Sequence, residues 1–486
     1  MTFKNRYTFL LLALSLCFSA GADTQSDFFT PHKGGVVFPH GFLKGVGQST
    51  YQNGGHNFWP SLGYRPRSNW TWHEQEHKTH FTLDRKREGG WSLLCLRKSS
   101  PIDRGESVGI SADVWNRMID DIQLMKQLGV NALRFELPWT DINPEKGLFN
   151  EEALAYFDVY LDALIANGIT PFIQLFWLVE PKWFFDLGGF EKEENIQYYV
   201  EYAKEVFKRY GHKVHHWCSM SEPGVVSACG YILGTHPPAQ RLQFRKAGHV
   251  LANLFKTHIQ TYETLKSMPH GKDAQIGIVH QIMHFEPKNK HNRLHTGVAN
   301  FMNYVFCHDV IMRFFKDGVF EFKPMRGKKI RFKDTRAPNS YDFFGMSIYS
   351  RMTMAPAPTC REGEIMQDMV WAIHPQSMYD AIKEAATLGK PIYVTENGFA
   401  DAKDDRRPIG IVSYINALKQ ALDDGYDVRG YFHWSLLDNY EWNMGHDKKF
   451  GLFEVNTGSQ NPADKERKPR ASAALYRNYV KIAPAV

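Results

Sequence analysis

Short apolar or β-branched runs alternate with longer stretches of helical period along the chain from residue 41 onward. Apolar runs of this length indicate buried strands, and their alternation with helical segments is typical of parallel strands joined by helices. Eight strands are predicted, at residues 41–49, 131–137, 170–177, 214–220, 274–283, 341–349, 391–396 and 428–435.

The segments between the predicted strands carry apolar residues on one helical face. A spacing of three or four residues places such side chains on one stripe, which can pack against a sheet. Gly129 and Gly168 are predicted to end the first two of these helices. Their stripes consist of Trp115, Met118, Ile122, Met125 and Leu128, and of Leu154, Phe157, Leu161 and Leu164.

Eight strand–helix units without a Pro- or Ser-rich linker favour an α/β fold made of a single (β/α)8 TIM barrel over residues 23–486. Several doubly wound nucleotide-binding domains are the alternative. Its one possible signal is Gly45-Val46-Gly47, but Thr50 stands where the third glycine of the phosphate-binding motif is required. The single barrel is therefore the predicted architecture.

Composition adds limits to this picture. The chain has 486 residues, 43% of them hydrophobic, which is enough to bury a large core. The 58 Lys and Arg exceed the 52 Asp and Glu by only six and form no basic block. This gives no electrostatic signature of nucleic acid or of an anionic membrane as a partner.

The N-terminus has the pattern of a signal peptide over residues 1–22. Lys4 and Arg6 precede an apolar run, and Ala20-Gly21-Ala22 supplies a small-residue cleavage site. The eleven apolar residues at 8–18 are too few to cross about 30 Å of hydrocarbon, so stable membrane insertion is not expected. The predicted location is secreted or periplasmic.

Cleavage at this site would leave five of the six cysteines, so at least one is expected to be unpaired within the chain. Asn69-Trp70-Thr71 matches a glycosylation sequon.

Two glutamates lie at the ends of predicted strands four and seven. Glu222 lies in Ser221-Glu222-Pro223, and Glu396 lies in Thr395-Glu396-Asn397-Gly398. Strands four and seven face each other across a barrel, and two carboxylates about 5 Å apart suit cleavage of a glycosidic bond with retention. Glu-Pro and Glu-Asn-Gly are also ordinary sequences between a strand and a loop, so the strand pattern alone leaves both interpretations open.

The motifs around these glutamates resemble family 1 glycoside hydrolases, the β-glucosidase-like retaining enzymes, over roughly residues 37–485. The matching motifs occur in the family's order. They are Phe42-Leu43-Lys44-Gly45 through Tyr51-Gln52, Leu133-Arg134-Phe135 with Pro138-Trp139, Ser221-Glu222-Pro223, Thr395-Glu396-Asn397-Gly398, and Trp434 through Asp438-Asn439-Tyr440-Glu441-Trp442 to Phe450-Gly451.

The resemblance implies a role for each matching residue. Glu396 corresponds to the nucleophile and Glu222 to the acid/base, while Arg134 and Tyr349 correspond to residues that hold the nucleophile. The positions around the non-reducing sugar are Gln52, Trp434, Glu441 and Trp442. The alternative for this last set is an aromatic core with one paired acid.

Three positions depart from the family pattern. Ser221 replaces the usual Asn before the acid/base, Trp177 replaces a His, and Ser347 replaces an Asn. By the resemblance, the Asn and His contact the sugar hydroxyls at C2 and C3. A serine is too short to copy the first contact, and an indole donates only one hydrogen bond. We therefore expect a sugar pocket altered at C2 and C3, so that glucose is not the preferred sugar.

The long segment at about 54–109 is predicted to be a loop after the first strand, on the face where barrel enzymes keep their active sites. Its aromatic residues are either a small satellite core or a rim that stacks on a sugar. The residues concerned are Trp59, Tyr64, Trp70, Trp72, His73 and Trp91.

The 21 histidines include two pairs spaced four apart, His280 with His284 and His291 with His295. Neither pair has the intervening Glu of a metalloprotease helix, so no metal is predicted, and no organic cofactor.

The leading functional hypothesis is an exported retaining β-glycosidase acting on a small glycoside or oligosaccharide. A non-catalytic carbohydrate-binding or receptor-like member of the fold, and a transglycosidase, are the alternatives.

Overall fold

A closed barrel of eight parallel strands forms the centre of the computed structural model, which describes residues 26–75, 80–82, 85–86, 90–91, 95–97 and 102–484. The strands are hydrogen-bonded in chain order, and the eighth closes on the first through pairs that run from Gly430↔Leu43 to Trp434↔Gly47. The prediction of one (β/α)8 barrel is confirmed. Its strands are Leu43–Gln48, Ala132–Glu136, Thr170–Gln174, His216–Ser221, Gln275–Gln281, Phe343–Ser347, Ile392–Gly398 and Val428–Trp434.

Helices surround the barrel, and the two predicted from apolar stripes are present. Gly129 (φ 62°) ends the first, and Gly168 (φ 72°) follows the second, both in the left-handed region that favours glycine. The longer helices are Val114–Leu128, Glu151–Ala166, Ile196–Tyr210, Phe244–Ser267, Arg293–Val305, His308–Asp317, Gln376–Ala386, Arg407–Asp423 and Ala471–Tyr479. Shorter helices include Thr50–Gly54, Asn69–Gln75, Trp139–Ile142, Lys182–Asp186 and Pro223–Ser227.

A layer of buried side chains packs inside the barrel, where the ring of Phe172 contacts the rings of Phe343, Tyr393 and Phe432 on other strands. Gly45 is required at this layer because a Cβ there would lie 2.2 Å from the ring of Phe432. Packing therefore explains this glycine, and the nucleotide-binding alternative is not supported. The layer consists of Ala132, Phe172, Cys218, Val279, Phe343, Tyr393 and Phe432.

Several small sheets lie outside the eight-stranded barrel. Val36–Phe38 pairs with Val480–Ile482, and Val319–Phe322 pairs with Ile330–Lys333. A three-stranded sheet after the fifth and sixth barrel strands consists of Phe285–Pro287, Met352–Met354 and Pro358–Thr359. The remaining pairs are Phe453–Glu454 with Lys468–Pro469, His80–Thr82 with Cys95–Arg97, and Arg85–Lys86 with Gly90–Trp91.

The buried tryptophans of the long loop pack into two different clusters, Trp59 into the main hydrophobic core and Trp70 into an aromatic cluster that contains Trp442. Trp59 packs edge-on against Trp115 and donates a hydrogen bond from Nε1 to Asp141 (2.9 Å). Trp70 lies behind Trp442, with ring centroids 4.6 Å apart. Trp72 packs near Phe185. The side chain of Trp91 lies outside the described residues.

The structure tests only some of the predictions about processing of the chain. The predicted signal peptide at 1–22 lies outside the described residues. Among the helices that are described, none combines the length and the apolar character needed to cross a membrane.

Asn69 of the sequon is buried, and its Nδ2 donates to the carbonyl of Leu178, so the folded chain does not present this amide for glycosylation. Cys218, Cys229, Cys307 and Cys360 are unpaired, and the side chain of Cys95 is not described.

Candidate active site

Glu222 and Glu396 line one cavity of about 430 Å³ at the carboxyl ends of the barrel strands. Glu396 lies within the seventh strand, and Glu222 directly follows the fourth. The backbone N–H of Glu222 donates to Val279 on the fifth strand (2.8 Å), and its φ of 55° is left-handed. A non-glycine residue in this region is strained by about 1–3 kcal/mol, which is typical of residues whose direction is fixed for function.

Glu396 has both a cation and a neutral donor as partners. Arg134 Nη1 donates to Oε1 (2.5 Å), and the hydroxyl of Tyr349 donates to Oε2 (2.7 Å). Arg134 is fully buried and Glu396 nearly so. Each of the two carboxylate oxygens therefore accepts a hydrogen bond, and the protein holds the carboxylate in one orientation.

Glu222 has the opposite environment. Burial, followed by the charge of Glu396, raises the pKa of Glu222 to about 8. Ser347 lies close enough to favour the charged form, but its hydroxyl makes no well-aligned hydrogen bond among the described residues. At neutral pH, Glu222 is therefore mainly the protonated member of the pair, whereas Glu396 is paired with Arg134.

The predicted sugar-contacting residues line the same cavity: Gln52, Trp177, Trp434, Glu441 and Trp442. Gln52 Nε2 donates to the carbonyl of Tyr440 (3.0 Å), with a longer contact to Glu441 Oε2 (3.5 Å). Among the described residues, Gln52 Oε1 is buried without a hydrogen-bond partner. Burial and the charge of Glu396 raise the pKa of Glu441 to about 8. The pocket thus offers an amide oxygen and a carboxyl group to the hydroxyls of a ligand.

Two of the departures from the family pattern meet at Arg134. The guanidinium carbon lies 3.9 Å from the ring centroid of Trp177, and Nη2 donates to the Ser221 hydroxyl (3.1 Å). Trp177 also packs against Trp434, with ring centroids 5.2 Å apart. Ser221 and Arg134 are fully buried beneath the residues that line the cavity. The Ser221 hydroxyl thus has its hydrogen-bond partner within the protein.

Two glutamines were not singled out from the sequence. Gln174 ends the third strand, and its Oε1 accepts a hydrogen bond from Arg134 Nη2 (3.2 Å). Gln281 ends the fifth strand and lines the cavity. Their places at strand ends are a signal that sequence analysis can use, since all such ends converge on one face of a barrel.

A methionine-rich wall was also missed. Six of the 16 methionines in the chain line the cavity, together with Phe285, Phe306 and Trp371. Met283, Met352 and Met354 form a hydrophobic cluster with Phe285, separate from the aromatic cluster of Trp177, Trp434 and Trp442. The six are Met283, Met302, Met352, Met354, Met369 and Met444.

Comparison with known proteins agrees with this geometry. The sequence model described as Glycosyl hydrolase family 1 matches residues 37–483. Beta-glucosidase A of Thermotoga maritima is 28% identical, with 91% of this chain and 98% of that protein covered.

Solved structures give the same result. A beta-glycosidase from Pyrococcus horikoshii is 31% identical at a TM-score of 0.72, covering 91% of this chain and 94% of that one. A beta-glucosidase from Thermotoga maritima in complex with deoxynojirimycin is 25% identical at a TM-score of 0.73, covering 91% and 98%.

Proposed function

Since this chain belongs to glycosyl hydrolase family 1 and is thus an O-glycosyl hydrolase of a retaining family, we propose that Glu396 is its nucleophile and Glu222 its acid/base. The observation that carries this assignment is the unequal environment of the two carboxyl groups. Arg134 and Tyr349 both donate to Glu396, whereas burial and the neighbouring charge keep the proton on Glu222.

Each residue then has one task in each of two steps. In the first, Glu222 gives its proton to the glycosidic oxygen while Glu396 attacks the anomeric carbon, so that the aglycone leaves and a glycosyl ester forms. In the second, the Glu222 carboxylate takes a proton from water, whose oxygen attacks the anomeric carbon and displaces Glu396. The sugar is released with its original configuration, and both glutamates return to their starting states.

We propose further that the sugar is not simple glucose. Ser221 uses its hydroxyl to accept from Arg134, and Trp177 covers the same guanidinium, so neither supplies the amide and imidazole contacts expected at C2 and C3. A polar contact at C2 that strengthens in the transition state contributes several kcal/mol. A sugar that differs from glucose at C2 or C3 therefore fits this side of the cavity better.

The rest of the cavity supports an apolar aglycone. Thioether and aromatic side chains dominate the wall formed by Met283, Phe285, Met352 and Met354, and Met302 and Phe306 pack against it. Methionine adapts its shape to irregular apolar groups, but its sulfur is only a weak acceptor for sugar hydroxyls. An aryl or alkyl glycoside is therefore favoured over a second sugar unit.

A panel of substrates tests these assignments. Wild-type protein and Glu396→Gln are incubated with nitrophenyl β-glycosides of several sugars, and with cellobiose. We expect wild-type turnover that the variant loses, a sugar other than glucose as the best donor, and aryl glycosides ahead of cellobiose. A clear preference for the β-glucoside would contradict the altered pocket. Absence of turnover with every donor would favour a binding protein.

We also propose that residues 1–22 direct export, on the strength of the sequence pattern alone. N-terminal sequencing of the protein from the extracellular or periplasmic fraction is expected to start at Asp23. An intact Met1 in the soluble cell fraction would contradict export.

A further inference from the structure

A second cluster of polar side chains lies outside the catalytic cavity, on the outer side of the fifth barrel strand. His308 Nε2 lies 2.7 Å from Glu384 Oε1, and His284 Nε2 lies 3.1 Å from Glu384 Oε2. One ligand atom from each residue can be chosen so that all three lie within 4.8 Å of one another. They come from three parts of the chain: the connection between strands Gln275–Gln281 and Phe285–Pro287, the start of helix His308–Asp317, and helix Gln376–Ala386.

A fourth residue orients this cluster. Nε2 of the buried His280 lies 2.9 Å from Nδ1 of His308. Histidines that bind a metal through one ring nitrogen usually hydrogen-bond through the other, which fixes the ring and its tautomer. His308 therefore has the contact that leaves its Nε2 available as a ligand.

The cluster is also held by the fold and reached by solvent. The carbonyl of His284 accepts from Met352 N (2.8 Å), and the next residue, Phe285, is fixed through both backbone groups by Asn303. The side chains of His284 and Glu384 are about one third exposed, at 37% and 35%. A bound ion would thus have preorganised protein ligands and an open position for water.

We propose that His284, His308 and Glu384 form a binding site for a divalent transition-metal ion, with Zn²⁺ the best fit. Two imidazoles and a carboxylate, with water in a fourth position, form a common zinc ligand set. Tetrahedral ligands at about 2.1 Å from zinc lie about 3.4 Å apart. The shortest distance between candidate ligand atoms is 2.7 Å, and one atom from each residue can be chosen so that all three lie within 4.8 Å, a range that includes this value.

The charges that face His284 favour a cation. Glu384, Glu286 and Asp380 are the carboxylates whose electrostatic interaction with His284 is attractive. Glu286 is itself paired with Arg351 and Arg361, which leaves Glu384 as the main anionic ligand. A divalent ion at this position would be drawn by a carboxylate and need not displace an arginine.

The site is placed to stiffen the aglycone wall. His284 lies between Met283 and Phe285, which both line the catalytic cavity, and His308 lies two residues after Phe306, which also lines it. Gly224, two residues after Glu222, packs against the carbonyl of Phe306, where an added Cβ would lie 2.9 Å away. An ion at this site would connect the two segments that carry Met283, Phe285 and Phe306 to helix Gln376–Ala386 without touching the reacting atoms.

The test measures zinc directly. Full-length wild-type protein is stripped with a chelator, titrated with Zn²⁺ in a competition assay, and then with Co²⁺, whose visible spectrum reports a tetrahedral site. The same titrations are made on Glu384→Gln, His284→Asn and, as the matched control, His291→Asn, which replaces an exposed histidine. Circular dichroism and melting temperature are recorded with and without Zn²⁺.

We expect one tight Zn²⁺ per wild-type chain, a Zn²⁺-dependent rise in melting temperature, and the same for His291→Asn. Glu384→Gln and His284→Asn should lose at least tenfold in affinity and lose the rise in melting temperature. If Glu384→Gln does not fold, the affinity of His284→Asn for Zn²⁺ serves as the test, because the side chain of His284 is partly exposed. Wild-type protein without stoichiometric binding, or folded site variants that bind as tightly as the control, would overturn the proposal. Because metal content is measured apart from turnover, failure here leaves the glycosidase assignment standing.

Discussion

Replacement of Glu222 by Gln separates the acid/base role from simple packing. Glutamine keeps the size of the side chain but cannot give a proton to the leaving oxygen. A positioned general acid contributes about 10²–10⁴ in rate. For an alkyl glycoside, whose leaving group needs protonation, we therefore expect kcat/KM to fall by about 10²–10⁴. For a dinitrophenyl glycoside, whose leaving group is stable as an anion, the fall should be less than about tenfold.

The wild-type pH profile follows from the same group. Because burial and the charge of Glu396 raise the pKa of Glu222 to about 8, about nine tenths of it is protonated at pH 7 and about one tenth at pH 9. The value of kcat/KM should thus fall about tenfold between these pH values, as the acid form is lost. In Glu222→Gln, this alkaline decline should vanish for the dinitrophenyl substrate.

Glu180→Gln is the matched control. Burial also raises the pKa of Glu180 to about 8, but this residue lines a separate small cavity with Phe190 and Val250. Its substitution should leave the rates and the pH profile unchanged. The assay is initial-rate kinetics with substrates of graded leaving-group acidity, and added azide should restore turnover of Glu222→Gln by replacing water. An equal loss for all leaving groups, or a retained alkaline decline, would refute the assignment.

Three further predictions follow from individual contacts. Tyr349→Phe removes a hydrogen bond to a charged carboxylate, which is worth about 1.5–3 kcal/mol, so kcat/KM should fall about 10- to 150-fold. The control Tyr393→Phe, in the layer of side chains inside the barrel, should not change kcat/KM. Unchanged kinetics of Tyr349→Phe would contradict the role of Tyr349. The double variant Ser221→Asn/Trp177→His should raise kcat/KM on the nitrophenyl β-glucoside at least tenfold, and a loss on every sugar would show that the pocket is not altered as proposed. Glu180→Gln tests how the free energy of unfolding depends on pH: because the pKa of Glu180 is raised in the folded state, its stabilising contribution is lost as pH rises from about 4.5 to 8. Urea unfolding should therefore show the variant gaining stability relative to wild type between pH 5 and 9. A difference in unfolding free energy that stays constant over this pH range would contradict this.

The architecture and the convergence of Glu222 and Glu396 on one cavity could be predicted from sequence because both depend on local patterns. Each apolar run becomes a barrel strand, and Glu222 and Glu396 occur at strand ends where the topology makes them converge. The boundaries differ by a few residues. The third strand ends at Gln174, whereas the predicted strand continues to Trp177, which lines the cavity.

Features that arise between distant segments were not accessible. The methionine wall combines residues that follow the fifth and sixth strands with a helix between them, and no spacing in the sequence joins Met283 to Met352. The loop aromatics were ambiguous for the same reason: Trp70 supports Trp442 from behind, a contact across more than 300 residues. Likewise, His284 has a partner in Glu384, which the four-residue histidine spacing could not indicate.

The most direct test of the central claim is to identify the residue that becomes glycosylated. Glu222→Ala, which is expected to slow release of the sugar, is mixed with a dinitrophenyl β-glycoside of the best sugar from the panel and analysed by intact mass and peptide mapping. We expect one glycosyl group per chain, attached to the peptide containing Glu396, and a wild-type product with the β configuration by NMR. A label on another residue, or a product of inverted configuration, would contradict it.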